Sequence, residues 1–271
     1  MPTPVPEPVT VVLPVYNAAA RIGPAIGIWH DALSKLGREF ELIIVDDGSI
    51  DPTAEAVGER RHVRMLRHET RRGFGACLRT ALAAAKHPLF AYSSLDYPYT
   101  PADLGKLLDR IGETDPGLNR QLDAVNGCRT GRPVPGFWKA IGVSFRLFCR
   151  IACGLRLDPL PAWLGFRAHL RSWTTWIILG NPFVDVNSAF KVFRKSVLDR
   201  FPIQSDGDFV HAELVAKATF IACIMDELPL TPRPDPVAPS WWTDFGRVLR
   251  NAKFHPPAVV TPCPPGPASS S

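Results

Sequence analysis

The 271-residue chain has no uninterrupted apolar run of the roughly 18 to 20 residues that a membrane-spanning helix needs. A span readable from hydropathy is therefore excluded within this sequence. Its first residues, Met1–Pro8, are proline-rich and carry no apolar core of the signal-peptide kind. The six cysteines, at 77, 128, 149, 153, 223 and 263, form no CxxC pair and no regular framework. That removes zinc ribbons and disulfide scaffolds, and a reduced, cytosolic setting is the expectation. Cys149 and Cys153 stand one helical turn apart, as two buried small side chains or as two metal ligands without a matching second pair. Basic runs interleaved with aromatics are also absent, so nucleic acid is not an expected partner.

What is present fits one globular α/β domain. The chain is 46% hydrophobic and 21% charged, within the ordinary globular range. A net charge of +5 suits anionic partners such as nucleotide phosphates or an acidic membrane surface. Many of the prolines gather in the two ends and around 229–239. Residues 1–8 and the Pro/Ser-rich 255–271 are expected to be disordered tails around a domain at 9–254.

Strand and helix signals alternate. Val9–Val15, Leu42–Val45, Val63–Leu66, Leu89–Ser93 and Asp123–Asn126 read as strands. Ala18–Leu36, a segment opening at Asp51-Pro52-Thr53, Gly75–Ala85 and Pro101–Ile111 read as helices. Asp51 reads as an N-cap with Pro52 at the first helical position. This alternation predicts a mostly parallel central sheet flanked by helices, with right-handed crossovers. Two further stretches, Trp138–Leu155 and Trp163–Ile177, set aromatic faces against basic backs. They either cover the core or lie in a membrane interface.

Two apolar runs stop abruptly at polar, turn-forming residues: Val11-Val12-Leu13-Pro14-Val15-Tyr16-Asn17 and Leu42-Ile43-Ile44-Val45-Asp46-Asp47-Gly48-Ser49. Ligands collect at the carboxyl ends of strands in open α/β sheets. These motifs resemble those of the family-2 glycosyltransferases with the GT-A fold, and most closely the dolichol- or polyprenyl-phosphate hexose synthase branch. The resemblance runs in order from about Val9 to Arg233. It implies a GT-A-type nucleotide-sugar-binding fold with amphipathic interfacial helices inserted at about 136–182.

It also implies sites. Pro14, Tyr16, Asn17, Asp46, Asp47, Arg72, Gly73, Ser94 and Asp96 would hold a UDP- or GDP-hexose donor. Arg71-Arg72-Gly73-Phe74-Gly75 reads either as a phosphate cradle at a helix N-terminus or as a plain strand-to-helix turn. In Ser94-Leu95-Asp96, Asp96 matches the second aspartate of the family's Asp-X-Asp motif, and Ser94 stands where the first would be. The implied cofactor is Mg²⁺ or Mn²⁺ on Asp96, at a weak and dispensable site. Arg129 and Arg132 follow the fifth strand, and arginine forks suit an acceptor phosphate. Asp185–Arg194 matches a branch segment in which Lys191 and Arg194 would face phosphates; otherwise it is a strand with a solvated basic face.

His211 is either a base or phosphate partner or a helix histidine with a structural role. Asp206 reads most simply as an N-cap. The implied catalytic set is Asp96, Arg129, Lys191 and His211. The implied acceptor is a polyprenyl phosphate at the cytoplasmic face of a membrane, and the resemblance admits a separate membrane subunit. Departures fall at Ala18, Arg71, Ser94, Pro98 and Pro232. They leave room for a weakened domain that only binds nucleotide or lipid, or for a different acceptor.

Overall fold

A computed structural model describes residues 6–95, 99–115, 117–129 and 185–230. The described strands are β1 (Val9–Val15), β2 (Phe40–Asp46), β3 (Val63–Arg67), β4 (Leu89–Tyr92), β5 (Thr114–Asp115), β6 (Arg120–Gln121), β7 (Ala124–Arg129), β8 (Lys191–Arg194) and β9 (Met225–Leu230). The described helices are α1 (Ala19–Ser34), α2 (Thr53–Val57), α3 (Phe74–Ala84), α4 (Pro101–Gly112), α5 (Lys195–Leu198) and α6 (Val210–Phe220).

Seven strands form one sheet in the order β3-β2-β1-β4-β8-β7-β9, and β5 pairs β6 separately. Every pairing in the large sheet is parallel except those of β8, which runs against β4 and β7. The carboxyl ends of the other six strands therefore share one edge, where β8 begins.

The apolar runs form strands because both faces of the sheet are covered. Val9, Val11, Leu13 and Val15 of β1, with Leu42 and Ile44 of β2, pack against α1 and α4. Val12, Ile43 and Val45 point the other way, onto Cys77, Leu78 and Ala81 of α3 and Val210 and Leu214 of α6. Alternation of period two, buried on both sides, reads in sequence as one continuous apolar run. Pro14 is tolerated because β1 has outrun its pairing with β4, which ends at Val12–Tyr92.

The two N-terminal motifs are stitched together. Asn17 takes a left-handed φ of +49°, which asparagine tolerates. Its N–H donates to Ser49 Oγ at 2.9 Å, and its Oδ1 accepts from Ile50 N at 3.0 Å. Helix α1 has no cap from its own Ala18. Instead Ala18 N donates to Thr53 Oγ1 at 2.8 Å and Ala19 N to Asp51 Oδ2 at 3.0 Å. Asp51 thus caps α1 as well as bonding Thr53, while the N-cap of α2 is Pro52, a correction to the reading of Asp51 as that N-cap with Pro52 at the first helical position.

The aromatic-plus-basic stretches at 138–155 and 163–177, Cys149, Cys153, Cys263, residues 1–5 and the C-terminal tail lie outside the described residues. The expectation of a disordered 1–8 is corrected at Glu7, which Arg194 holds at 2.7 Å, and at Pro8, whose carbonyl accepts from Leu89 N. Among the described residues no helix is long and apolar enough to cross a membrane.

Candidate active site

The shared carboxyl edge gathers Tyr16 and Asn17 after β1, Asp46 to Ser49 after β2, and residues 67–73 after β3. Asp46 is fully buried. Its Oδ1 accepts from Ser49 N at 2.9 Å, shaping the turn, and its Oδ2 faces Arg67 Nε at 3.3 Å. Arg67 also donates to Ser49 O at 3.1 Å. At Gly48, φ is +72° and an added Cβ would lie 2.5 Å from the Thr70 carbonyl carbon. Only glycine fits that approach.

Asp47 is buried and holds the next loop. Its Oδ1 accepts from His68 Nδ1 and from Arg72 N, both at 2.9 Å. Its Oδ2 accepts from Gly73 N at 2.8 Å. Arg71, exposed, lies with its guanidinium carbon 4.3 Å from the Tyr16 ring centroid, a cation–π contact.

The cradle reading of Arg71–Gly75 is corrected by these bonds. Arg72 N and Gly73 N are taken by Asp47, and Gly75 N and Ala76 N both donate to Asp206 O, at 2.7 and 3.3 Å. An added Cβ would meet Asp206 O at 2.4 Å from Gly73 and Ser205 O at 2.1 Å from Gly75. The glycines admit the 205–207 backbone, which caps α3 where an anion was expected. Arg79 locks that segment, donating to Ile203 O at 3.1 Å and Ser205 O at 2.8 Å and pairing with Asp206. Asp206 is accordingly not the side-chain cap of α6, whose N-cap is Phe209.

Behind this segment Glu213 accepts from Gln204 N at 2.7 Å and Ser205 N at 2.8 Å. Lys217 bonds Glu213 at 2.7 Å, both buried. Burial holds the Lys217 ammonium below its usual pKa, against the opposing pull of Glu213.

On the β4–β8–β7 side, Lys191 starts β8 opposite Tyr92 and Asn126. It is 1% exposed. Its ammonium donates to Asn126 Oδ1 at 2.7 Å, Val186 O at 3.0 Å and Ser188 O. An ammonium has three N–H donors, and with these acceptors Lys191 builds the 185–190 turn. Glu227 Oε1 completes the network through Asn126 Nδ2 at 2.7 Å and Asp185 N at 2.9 Å. The reading of Asp185–Arg194 as a strand with a solvated basic face is likewise corrected at Lys191.

Arg194 is not brought to this edge. It pairs with Leu89 at the start of β4 and binds Glu7 at 2.7 Å, Leu122 O at 2.9 Å and Gln121 at 2.9 Å. A four-residue strand that enters at the carboxyl edge must leave at the opposite one.

His211 is 1% exposed in the first turn of α6. Its ring stacks on Tyr92 at 5.7 Å and meets Phe74 edge-on at 4.8 Å, with Nδ1 3.3 Å from Tyr92 Oη. Ser94 stands half-buried just past β4, and Pro14 is buried within β1. Arg129 ends β7 at the carboxyl edge, beside Leu230; its side chain, with Asp96, Pro98 and Arg132, lies outside the described residues.

Asp47, His68 and Cys77 form the one group of three metal-ligating side chains among the described residues, their ligand atoms within 4.8 Å of one another. Its geometry fits hydrogen bonding better than a shared ion. Two ligands at about 2.0–2.1 Å on a tetrahedral ion stand about 3.3 Å apart, whereas His68 Nδ1 and Asp47 Oδ1 are 2.9 Å apart. Cys77 Sγ is 4.0 Å from Nδ1, and burial together with the Asp47 charge pushes its thiol well up. Nor does this group supply the hard-oxygen set of a Mg²⁺ site.

Arg67, His68 and Arg79 were not singled out in the sequence. The signal for the first two is the one that marked Asp46: polar residues directly after an apolar strand.

Comparison with known proteins agrees with this architecture. A dodecaprenyl-phosphate galacturonate synthase of Rhizobium johnstonii is 23% identical over 202 residues, covering 73% of this chain and 51% of that protein. An undecaprenyl-phosphate 4-deoxy-4-formamido-L-arabinose transferase of Pseudomonas paraeruginosa is 30% identical over 110 residues, covering 39% of this chain and 32% of that protein. The chain thus spans about half or less of the length of these relatives. Glucosyl-3-phosphoglycerate synthase of Mycobacterium tuberculosis, solved with Mn²⁺, UDP and phosphoglyceric acid, shares the fold at a TM-score of 0.55 and 20% identity, over 90% of this chain and 75% of that one. The fold is therefore GT-A-like. The glycosyl transferase family 2 model matches residues 10–172, more than half of the chain, and the chain belongs to that family.

Proposed function

We propose that the protein is a hexosyltransferase that moves a sugar from a UDP- or GDP-linked donor to a polyprenyl phosphate with inversion. The carrying observation is the carboxyl edge, where Tyr16, Asn17 and Asp46 to Ser49 are fixed by mutual hydrogen bonds beside the Asp47-held loop. The relatives named for polyprenyl-phosphate chemistry support the acceptor.

At pH 7 a phosphate monoester, with a second pKa of about 6, is already largely ionised. Its oxygen attacks the anomeric carbon as the bond to the nucleoside diphosphate breaks, and that diphosphate leaves with the electron pair. No strong base is required, which suits the burial of His211 against Tyr92 and Phe74. The work is positioning two anions and screening their repulsion, about 4 kcal/mol at 4 Å and an effective dielectric of 20. Arg129 and Arg132 take the acceptor phosphate in this reading. Lys191 holds the 185–190 turn and adds its charge to the local field. Asp96 is the residue that would hold a divalent ion, which would supply charge neutralisation for the leaving diphosphate.

Ser94, a hydroxyl where the family motif has a carboxylate, favours a second reading as a weakened domain that binds without transfer. One experiment separates them. Nucleoside-diphosphate release is measured from UDP- and GDP-sugars with undecaprenyl phosphate, with and without Mg²⁺ or Mn²⁺, and with Asp96→Ala alongside. Acceptor-dependent release lost in that variant supports the transferase; binding without release supports the second reading.

A further inference from the structure

We propose that His68 is a positioning residue that locks Asp47, and through it the 71–73 loop, in the shape that receives the donor nucleotide; this rests on the donor reading above. His68 extends the β2–β3 ladder beyond Arg67, donating its N–H to Asp46 O at 2.9 Å. The backbone bond sets the ring's place, and both ring nitrogens are engaged. Asp47 Oδ1 can only accept, so Nδ1 carries a proton toward it. Nε2 meets Thr80 Oγ1 of α3 at 2.9 Å. The ring is 6% exposed, so water does not readily replace either bond.

Asp47 takes His68 Nδ1 and the two loop amides that it organises as donors, and the Cys77 thiol also bonds it from α3. Turning the carboxylate would release Arg72 N or Gly73 N. Arg71, next in the chain, would lose its seat over Tyr16. The relay thus runs from Thr80 on α3, through His68 and Asp47, to the exposed rim of the carboxyl edge.

Thr80, His68 and Asp47 have the connectivity of a nucleophile-base-acid triad, but Thr80 lies inside α3, where neighbouring amides serve the helix ladder. No pair of N–H groups is left there to stabilise an oxyanion. The arrangement serves orientation.

The test compares His68→Leu, which removes both ring bonds, with His68→Asn, whose Nδ2–H can occupy the Nδ1 position. Three quantities are read: amide hydrogen exchange at Arg72 and Gly73, affinity for UDP-glucose and GDP-mannose, and the donor and acceptor KM. Protected β1 and β2 amides show that each variant is folded. Loss of one charge-assisted hydrogen bond predicts at least about tenfold faster exchange at Arg72 and Gly73 in His68→Leu, and a similar loss of donor affinity. Acceptor KM stays unchanged, and His68→Asn recovers most of both effects. The proposal is overturned if His68→Leu matches the unsubstituted chain, or if His68→Asn is as impaired as His68→Leu. Failure of the unsubstituted chain to bind either nucleotide-sugar overturns the donor reading instead; the exchange data then decide the hold of His68 on the loop by themselves.

Discussion

Replacing Gly73 with alanine tests whether the 205–207 backbone, and not a ligand, dictates the glycines of the 71–75 loop. Gly73 has φ +100° and ψ 167°, a region occupied essentially by glycine alone, where a side chain costs about 1–3 kcal/mol. The new Cβ would also lie 2.4 Å from Asp206 O and 3.0 Å from its carbonyl carbon. The carbonyl must retreat by about 1 Å to reach ordinary contact. It is tethered by Gly75 N at 2.7 Å, by Arg79, and through Gln204 and Ser205 by Glu213. Losing the Gly75 bond adds about 1 kcal/mol, for a total of about 2–4 kcal/mol. Two controls isolate the collision. Gly37 also has positive φ, +63°, with nothing within 4 Å of an added Cβ, so Gly37→Ala should cost about 1–2 kcal/mol. Gly27 lies in α1 with open space around it, and Gly27→Ala should stabilise by about 0.5–1 kcal/mol. Urea unfolding followed by tryptophan fluorescence ranks the three. If Gly73→Ala costs no more than Gly37→Ala, the clasp between α3 and the 205–207 segment does not constrain the loop.

Three further outcomes are expected. Lys191→Met should lower stability by about 3–5 kcal/mol, because Asn126 Oδ1, Val186 O and Ser188 O lose a buried cationic donor; normal stability with a raised acceptor KM would mean that Lys191 binds phosphate directly. Arg194→Ala should cost about 1–3 kcal/mol in denaturant unfolding through loss of Glu7, Leu122 O and Gln121, with acceptor KM unaltered; a raised acceptor KM would refute its placement away from the site. At Asp103, burial raises the carboxyl pKa, but bonds from Lys106 and Thr100 outweigh it and the net value lies below 3.8. That contribution is present above the ordinary carboxylate pKa and is lost as pH falls through the depressed one. Asp103→Asn, which keeps an acceptor for Thr100 N but removes the charge that Lys106 meets, should therefore cost about 0.5–1 kcal/mol at pH 7, and the gap to the unsubstituted chain should close as pH falls below 3.8 in a titrated unfolding series; a gap that persists there would contradict the assignment.

The fold was legible where one strand or helix carries its own pattern. β1 spans Val9–Val15 as read, and α4, β3 and α3 begin or end within a residue or so of their sequence ranges. Burial on both faces makes such strands continuous apolar runs, and turn residues cut them sharply. The antiparallel course of β8 was not legible, since the pattern of a four-residue strand carries no direction. The clasp was hidden for a different reason. Gly75 N and Asp206 O lie 131 residues apart and meet backbone to backbone, so no side-chain type records the contact. Lys191 misled because a lysine flanked by Phe190 and Val192 reads as an outward-facing cation. Here Asn126 and the 185–190 turn cover that side as well.

Charge placement carries the consequence of these networks for the proposed reaction. On the donor side Asp46 and Asp47 are consumed in shaping the edge, by Ser49, Arg67, His68 and two loop amides. On the other side Glu227, Asn126 and Lys191 are consumed in shaping the 185–190 turn. Each network spends its charge on holding backbone, which is how a site keeps its geometry while two anions are pressed together. In the proposed reaction the cations that meet those anions come from outside the networks. On the donor rim these are Arg71 and Arg72, exposed on the loop that Asp47 holds. On the acceptor side they are Arg129, at the end of β7, and Arg132 beyond it. Arginine suits this division, because it stays charged whatever it approaches and its fork matches phosphate oxygens. In that proposal, rigid buried networks at strand ends and arginines on the segments that follow them divide the work between geometry and charge.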